Sequence, residues 1–302
     1  MQPITLPVAF CGNCLDIMPT LPDQSFDMIL CDLPYAITRN SWDIPIPLED
    51  YIEMDGRIIP YSEFKELLWS KPKWATRYPA LIDVLSKSVR DAQQFWDACK
   101  RPGLWSQYKR LIKPNGVIIL FGSGQFSAEL MRTGKDLWRY NLVWHKTLPV
   151  GFLNANRQPL RAHEDILVFY KSPPCYHPQK STGHVRKVST PQHGRNCKES
   201  PNYGSYGAHF YDSTERFPTS IWTFATDKQK SSIHPTQKPV KLLEELIKTY
   251  TDEGAVVLDN CAGSFSTAIA CENTNRQWVC IEKDESYFRQ GLERVQNICS
   301  AT

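Results

Sequence analysis

The sequence lacks a long hydrophobic run, a basic leader and a paired set of metal-binding cysteines. Its longest apolar stretch, Val117 to Phe121, is far too short to cross a bilayer. The N-terminal residues hold no basic side chain and no sustained apolar run, so we expect no signal peptide. The ten cysteines include one close pair, Cys11 and Cys14, and no second pair at zinc-ligand spacing accompanies it. We therefore expect a cytoplasmic protein with reduced thiols, without a metal and without a membrane partner.

Charge is nearly balanced over the whole chain but not along it. The formal net charge is +3, whereas the segment 171–230 alone holds nine Lys or Arg against four Asp or Glu. A local excess of basic residues is typical of a phosphate-binding surface. A solvated loop gives the same composition, and charge alone does not separate the two interpretations.

Short apolar runs and helical patterns alternate through most of the chain. Phe26 to Cys31 predicts a buried strand, and so do the apolar residues after the Pro-Asn-Gly turn at 114–116. A helical pattern starts at Pro239, and further strands follow at 255–258 and 277–281. This alternation predicts a mostly parallel α/β sheet.

Residues 51–103 interrupt this alternation. They hold eight aromatic residues among mixed charges and amphipathic stretches. The pattern predicts an inserted, mainly helical element. Its aromatics fit a small core better than a base-stacking platform, although composition leaves both open.

A candidate cofactor loop lies near the carboxyl end of the sequence. Val256 to Ala270 (VVLDNCAGSFSTAIA) predicts a strand, a loop of small residues and a helix. Asp259 ends that strand, and Glu282 ends the next strand 23 residues later, where an acceptor for ribose hydroxyls is expected. The loop lacks a full GxGxxG, so the pattern does not demand a ligand phosphate. A structural strand–helix–strand unit is the alternative.

A candidate catalytic loop follows the first buried strand. The run FDMILC leads directly into Asp32-Leu33-Pro34-Tyr35. The Asp32 carboxylate and the Leu33 carbonyl offer two acceptors that can draw electron density onto an aromatic amino group. Tyr35 offers a flat face for an extruded base, and Pro34 stiffens the loop. Taken alone, the tetrapeptide also fits an ordinary turn at the end of a strand.

Together, these motifs resemble those of a known enzyme family. DLPY at 32–35, HPTQKP at 234–239 and DNCAGS at 259–264 resemble, in this order, the motifs of the β-group amino methyltransferases of bacteria and phages. Those enzymes methylate DNA and place the target-recognition region between the catalytic and cofactor motifs. Release-factor glutamine methyltransferases have the reverse order, which argues against them.

The resemblance implies a fold and a set of site residues. The fold is a Rossmann-like, S-adenosylmethionine-dependent methyltransferase fold: a mostly parallel seven-stranded sheet with helices on both faces, plus insertions. The implied catalytic residues are Asp32, Leu33, Pro34 and Tyr35. The implied cofactor-binding residues are Asp259, Ala262, Gly263 and Ser264 in the loop, Glu282 at the ribose, and Thr236, Gln237 and Lys238 at the methionine end.

Two positions depart from the family pattern. Leu33-Pro34 replaces the usual Pro-Pro. This replacement should not affect catalysis, because the second acceptor is the backbone carbonyl of residue 33. Phe265 replaces the last glycine of the cofactor loop. Either its ring packs against the cofactor's adenine, which counts Phe265 among the cofactor-binding residues, or the cofactor binds weakly.

The sequence thus predicts an enzyme and its organisation. An aspartate rather than a serine at position 32, the first position of the catalytic motif, resembles the adenine-N6 type of the family. We therefore expect methylation of adenine N6 on a base flipped out of double-stranded DNA. Cytosine-N4 methylation and an inactive DNA-binding relative are the alternatives. Residues 1–50, 104–170 and 231–302 form the expected catalytic domain, 51–103 the insertion and 171–230 the target-recognition segment. Whether the protein is a homodimer is left open. The basic residues expected to contact DNA are Lys180, Arg186, Lys187, Arg195 and Lys198.

Overall fold

The computed structural model describes residues 5–35, 40, 43–54, 56–69, 89–190, 199–200, 204–205, 210–227 and 237–299. The strands are β1 Val8–Cys11, β2 Phe26–Cys31, β3 Tyr51–Met54, β4 Arg57–Pro60, β5 Ile112–Gly122, β6 Trp138–Val150, β7 Arg161–Phe169, β8 Lys187–Val188, β9 Glu199–Ser200, β10 Gly204–Ser205, β11 Asp212–Ser213, β12 Ile221–Phe224, β13 Val256–Asp259 and β14 Gln277–Glu282. The helices are α1 Cys14–Ile17, α2 Tyr61–Trp69, α3 Val89–Cys99, α4 Leu104–Leu111, α5 Gln125–Thr133, α6 Val240–Tyr250, α7 Ser266–Glu272 and α8 Glu285–Cys299.

Within these ranges, eight strands form one sheet in the order β1-β14-β13-β2-β5-β7-β6-β12. Strand β7 runs antiparallel to both of its neighbours, and every other pair in the sheet is parallel. The predicted mostly parallel α/β sheet is therefore present, with one strand more than the seven expected. The additional strand is β12, which pairs with β6 at the sheet edge, where the Trp144 indole donates a hydrogen bond to the Phe224 carbonyl at 3.0 Å.

Side chains that alternate along the buried strands form a core on each face of the sheet. Met28 and Leu30 of β2 pack on the face covered by α6, α7 and α8. Ile29 and Cys31 point to the opposite face, which α4 and α5 cover. This alternation follows from the period of two in a strand, and each fully buried aliphatic side chain stabilises the fold by about 1.5–3 kcal/mol.

The insertion forms a small unit with its own core. Strands β3 and β4 pair as an antiparallel hairpin, and their apolar side chains pack with those of α2 and α3. Phe64 and Trp96 lie in this core with ring centroids 4.9 Å apart, which agrees with a core role for these two aromatics rather than a base-stacking platform. The hairpin was not part of the helical expectation, although the Asp55-Gly56 dipeptide between two apolar runs is a hairpin signal.

The insertion is closed where it leaves and rejoins the main domain. Tyr51 and Arg101 exchange backbone hydrogen bonds of 3.0 and 2.7 Å. Just after them, the backbone of Gly103 passes so close to the Glu49 carbonyl that a Cβ on Gly103 would lie 2.1 Å from that oxygen. The junction between the insertion and the main domain therefore requires glycine at position 103.

The described parts of the segment 171–230 consist of short strands and irregular stretches. Strand β8 pairs with β11, β9 pairs with β10, and β12 joins the main sheet. Among the residues that the structure describes, no helix is long and apolar enough to cross a membrane.

Candidate active site

The predicted catalytic and cofactor motifs line a single cavity of about 700 Å³. It lies at the carboxyl ends of β2, β13 and β14, which meet at one edge because neighbouring parallel strands point the same way. Its wall includes residues 32–35, residues 259–264, Gln237, Lys238 and Glu282. The sheet therefore brings together two motifs that stand more than 200 residues apart in the sequence.

The Asp32 carboxylate is held by two donors. Its Oδ1 accepts a hydrogen bond of 2.9 Å from the Tyr35 hydroxyl, and its Oδ2 pairs with the Lys238 ammonium. The Lys238 Nζ also lies 3.4 Å from the Glu164 Oε2, and Glu164 pairs in turn with Lys146. Carboxylates and ammonium groups thus alternate in a largely buried row, which we call the charge row: Asp32, Lys238, Glu164 and Lys146.

Burial and charge act against each other in the charge row. Burial raises the pKa of Asp32, and the Lys238 ammonium opposes that rise. Burial alone would lower the pKa of Lys238, but the carboxylates of Asp32 and Glu164 outweigh it and hold that pKa above its usual value. Burial alone would raise the pKa of Glu164, but Lys238 and Lys146 bring that pKa below its usual value. Lys238 is therefore a cation that favours the carboxylate form of Asp32.

Tyr35 is fixed on one side and open to the cavity. Its ring stacks on Phe126 with centroids 4.9 Å apart and an interplanar angle of 29°. Burial raises the pKa of the Tyr35 phenol well above its usual value, so the hydroxyl keeps its proton and donates to Asp32. Because Phe126 takes one face of the ring, at most one face remains for a planar ligand.

Asp259 organises the cofactor loop from within. Its carboxylate accepts hydrogen bonds from the Cys261 N–H at 3.0 Å and from the Thr267 hydroxyl at 2.6 Å. These bonds tie the end of β13 to the first turn of α7. Burial raises the pKa of Asp259 to about 6.

Two acceptors in the cavity fit the donor groups of S-adenosylmethionine. The Glu282 carboxylate accepts the backbone N–H of Gly263 at 2.7 Å and that of Asp284 at 2.8 Å, and each oxygen keeps a lone pair for a ribose hydroxyl. The Gln237 Oε1 is buried and has no hydrogen-bond partner among the residues that the structure describes. A buried acceptor without a partner is costly, and an ammonium group of a ligand would satisfy it. Thr236 lies outside the described residues.

Phe265 occupies a place different from the one predicted. Its side chain is fully buried and is not part of the cavity wall, so the expected contact with the cofactor is corrected to a core contact. The residue has a φ of 58°, and its ring packs edge-on against Trp278 and Phe288. The ring fits because Gly291 faces it without a side chain: a Cβ there would lie 2.1 Å from the Phe265 Cδ2. The phenyl group therefore does not obstruct the cavity.

The basic residues of the segment 171–230 are partly neutralised. Lys180 pairs with Glu215 at 3.0 Å, and Arg186 pairs with Asp212. The Lys187 ammonium lies 6.0 Å from the centre of the Tyr211 ring. Arg195 and Lys198 lie outside the described residues.

Lys146 and Glu164 are site residues that sequence reasoning missed. Both follow the inward alternation of their strands: Lys146 shares a face of β6 with buried Trp144, and Glu164 shares a face of β7 with buried Ile166. A charged residue at an inward position of a strand is unusual and signals a buried partner. That signal was present in the sequence.

A Rossmann-like sheet that joins an Asp-Leu-Pro-Tyr loop to a cofactor loop at one edge defines the class of amino methyltransferases. A family model of N6 and N4 methyltransferases, described as DNA methylase, matches residues 26–293. The chain belongs to this family. Membership confirms the predicted β-group and S-adenosylmethionine as the cofactor.

Individual relatives extend the comparison. The chain is similar to the type II methyltransferase M.HpaI of Haemophilus parainfluenzae, with 23% identity over 95% of this chain and 73% of the relative. It is also similar to M.HinfI of Haemophilus influenzae, with 22% identity over 95% of this chain and 67% of the relative.

Solved structures confirm the fold. The crystal structure of the M1.HpyAVI–SAM complex superposes with a TM-score of 0.52 and 16% identity, covering 95% of this chain and 98% of that one. PvuII DNA methyltransferase, named as cytosine-N4-specific, gives a TM-score of 0.56 and 12% identity, covering 98% of this chain and 92% of that one.

Proposed function

We propose that this DNA amino-methyltransferase acts on N6 of an adenine flipped out of duplex DNA. The observation that carries the proposal is the single cavity that joins the Asp32 carboxylate to the cofactor loop at 259–264. An aspartate at the first position of the catalytic motif, as in the adenine type that the sequence resembles, favours adenine over cytosine.

The residues of the catalytic loop supply the acceptors that the amine needs. Tyr35 and Lys238 each use one lone pair of an Asp32 oxygen, so each oxygen keeps another for an N–H of the base. Leu33 lies in the cavity wall, and its carbonyl would accept the second N–H. These two acceptors favour the positive charge that develops on nitrogen as it forms the new bond.

The cofactor supplies an electrophilic methyl group when it is bound. Glu282 and Gln237 would hold its ribose and its amino acid end, and Asp259 keeps the loop between them in shape. Tyr35, backed by Phe126, offers the face on which the extruded base stacks. The chain's part is therefore to orient the amine and to exclude water from it.

We further propose that the segment 171–230 recognises the DNA target and that 51–103 is a separate insertion in the catalytic domain. The contact of β12 with β6 supports the first assignment, because it anchors the segment beside the sheet. Phosphates that approach Lys180 or Arg186 would compete with Glu215 and Asp212 for these cations. By analogy with M.HpaI and M.HinfI, named as type II methyltransferases, we propose a role in DNA modification.

Product analysis tests the choice of base. Purified protein is incubated with DNA and S-adenosylmethionine, and the DNA is digested to nucleosides for mass spectrometry. We expect N6-methyl-2′-deoxyadenosine from the wild type and a rate lower by about 100-fold or more from Asp32→Asn, which keeps the side-chain volume but removes the charge. N4-methyl-2′-deoxycytidine as the product would replace the proposal with its alternative, the cytosine-N4 reaction that the same family includes.

A further inference from the structure

The tip of the β6–β7 hairpin stands at the mouth of the catalytic cavity. Strand β6 ends at Val150 and β7 begins at Arg161, and these two residues, with Gly151, form part of the cavity wall. All residues from 151 to 160 are exposed. The tip thus continues the wall outward into solvent.

This tip displays large apolar side chains. Phe152 is 77% exposed and Leu153 is 85% exposed. Leu148 and Leu160, on the two sides of the tip, are 54% and 41% exposed. A cluster of apolar side chains in solvent beside an active site indicates a surface that becomes covered when the protein acts.

The tip is held in shape by its own hydrogen bonds. Gly151 adopts a φ of 95°, which turns the chain at the end of β6. The N–H of Asn154 donates to the Gly151 carbonyl at 2.9 Å, that of Ala155 to Phe152 at 3.0 Å, and that of Arg157 to Asn154 at 2.8 Å. The apolar pair therefore sits on a defined turn, which reduces the entropy lost when it binds.

An element of this kind suits the extrusion of a base from the duplex. A base that is paired and stacked cannot reach Asp32 inside the cavity, so it must leave the helix and create a gap. Proteins that distort DNA often insert Phe or Leu between base pairs, and the new contacts offset the free-energy cost of unstacking the bases. Arg157 and Arg161 lie on the same tip and add positive charge next to it, which suits the phosphates that flank such a gap.

We propose that Phe152 and Leu153 enter the DNA duplex and fill the space left by the target base. The tip, residues 148–161, is the element that opens the duplex, and double-stranded DNA is its partner. This inference rests on the proposed function, because it assumes that the enzyme takes its base from a duplex.

The test compares two DNA substrates that differ only in the pairing of the target base. The methylated site is first located by sequencing DNA treated with the wild type. One duplex then carries the target in its normal pair, and the other carries it opposite a mismatched base, which is easier to extrude. For Phe152→Ser/Leu153→Ser we expect kcat/KM to fall by about 10-fold or more on the paired duplex, and by much less on the mismatched one.

A direct signal of base extrusion accompanies the kinetics. With 2-aminopurine at the target position, the wild type should raise the fluorescence on binding, and the double variant should raise it less. Because both replaced side chains are exposed, the thermal unfolding of the variant should match that of the wild type.

Trp138→Ser is the matched control. Trp138 is 38% exposed and begins β6, at the far end of the strand from the tip, so this variant should behave as the wild type on both substrates. An equal loss of kcat/KM on both duplexes in the Phe152→Ser/Leu153→Ser variant, or no loss on either duplex, would overturn the inference. A loss that accompanies dissociation of a dimer in ultracentrifugation would assign the tip to a second copy of the chain and also overturn it. If the wild type methylates neither duplex, the proposed function fails instead.

Discussion

Lys238 lies between two carboxylates, and its position controls the charge of the catalytic loop. Its ammonium pairs with Asp32 and lies 3.4 Å from Glu164. Removal of this buried cation would leave the carboxylates of Asp32 and Glu164 without the ammonium between them. Asp32, which pairs directly with Lys238, would then take up a proton to relieve the repulsion. A protonated Asp32 has fewer acceptor sites for the amine.

The pH dependence of Lys238→Met tests this arrangement. Burial raises the pKa of Asp32, and Lys238 opposes the rise, so its removal should raise that pKa further. The carboxylate form is then lost at higher pH, and we expect the acidic limb of the methylation rate to move toward higher pH. Lys241→Met is the control, since Lys241 is largely exposed and pairs with Glu244 on α6. An unshifted limb in the Lys238 variant would contradict the role of the charge row.

The sequence predicted the types of residue at the site better than their contacts. Asp32, Tyr35 and Glu282 were predicted because each belongs to a motif that ends a strand. The pairing of Lys238 with Asp32 could not be predicted, since it depends on how the start of α6 packs against the sheet edge. Phe265 was misplaced for the same reason: the sequence shows the loop but not the core that accepts the ring.

At the scale of elements, the start of α7 depends on the packing of α8. Phe265 has a positive φ, which is strained for a residue with a large side chain. The strain is offset because the ring fills a space in the core opposite Gly291. The cofactor loop is thus held by a residue whose side chain points away from the cofactor.

Gly291→Ala should destabilise the protein although it lies in a helix. Alanine favours a helix over glycine by about 1 kcal/mol, but the added Cβ would collide with the Phe265 ring, and overpacking costs about 1–3 kcal/mol. We expect a lower free energy of unfolding in urea denaturation. Gln290→Ala, at an exposed position of α8, should have little effect.

A double-variant cycle identifies the collision as the cause. Combined with Phe265→Leu, Gly291→Ala should cost less than the sum of the two single changes, because the smaller side chain leaves room for the Cβ. Additive losses would show that Gly291 matters for another reason.

Strands and helices were predictable where the apolar residues follow one clear pattern in the sequence. Strands β2, β13 and β14 are short buried runs, and α6 follows a helical period, so local pattern sufficed. Strand β12 could not be predicted in this way, because it pairs with β6, a partner far away in the chain. The β3–β4 hairpin carries a local turn signal, which the helical expectation for this stretch overlooked.

At the scale of the whole molecule, cofactor binding should couple to stability. Glu282 and Asp259 end neighbouring strands, and a ligand held between them links β14, β13 and the loop before α7. A ligand that binds only the folded state raises the free energy of unfolding with its concentration.

S-adenosylmethionine at about 100 times its dissociation constant should therefore stabilise the protein by about 2.7 kcal/mol. Denaturation with and without the cofactor measures the effect. Glu282→Ala should lose most of it, because it removes the acceptor for the ribose, whereas Asp32→Asn should keep most of it. A wild type that gains no stability would indicate a DNA-binding protein without methyl transfer.

The order of the strands has a consequence for biosynthesis. Strand β2 lies between β5 and β13, and Val256 follows Cys31 by 225 residues. On the ribosome, β2 therefore waits for its second neighbour until most of the chain has been translated. A nascent chain that stops before β13 would present Asp32 without a cofactor loop, so premature termination should yield no partially active methylating fragment.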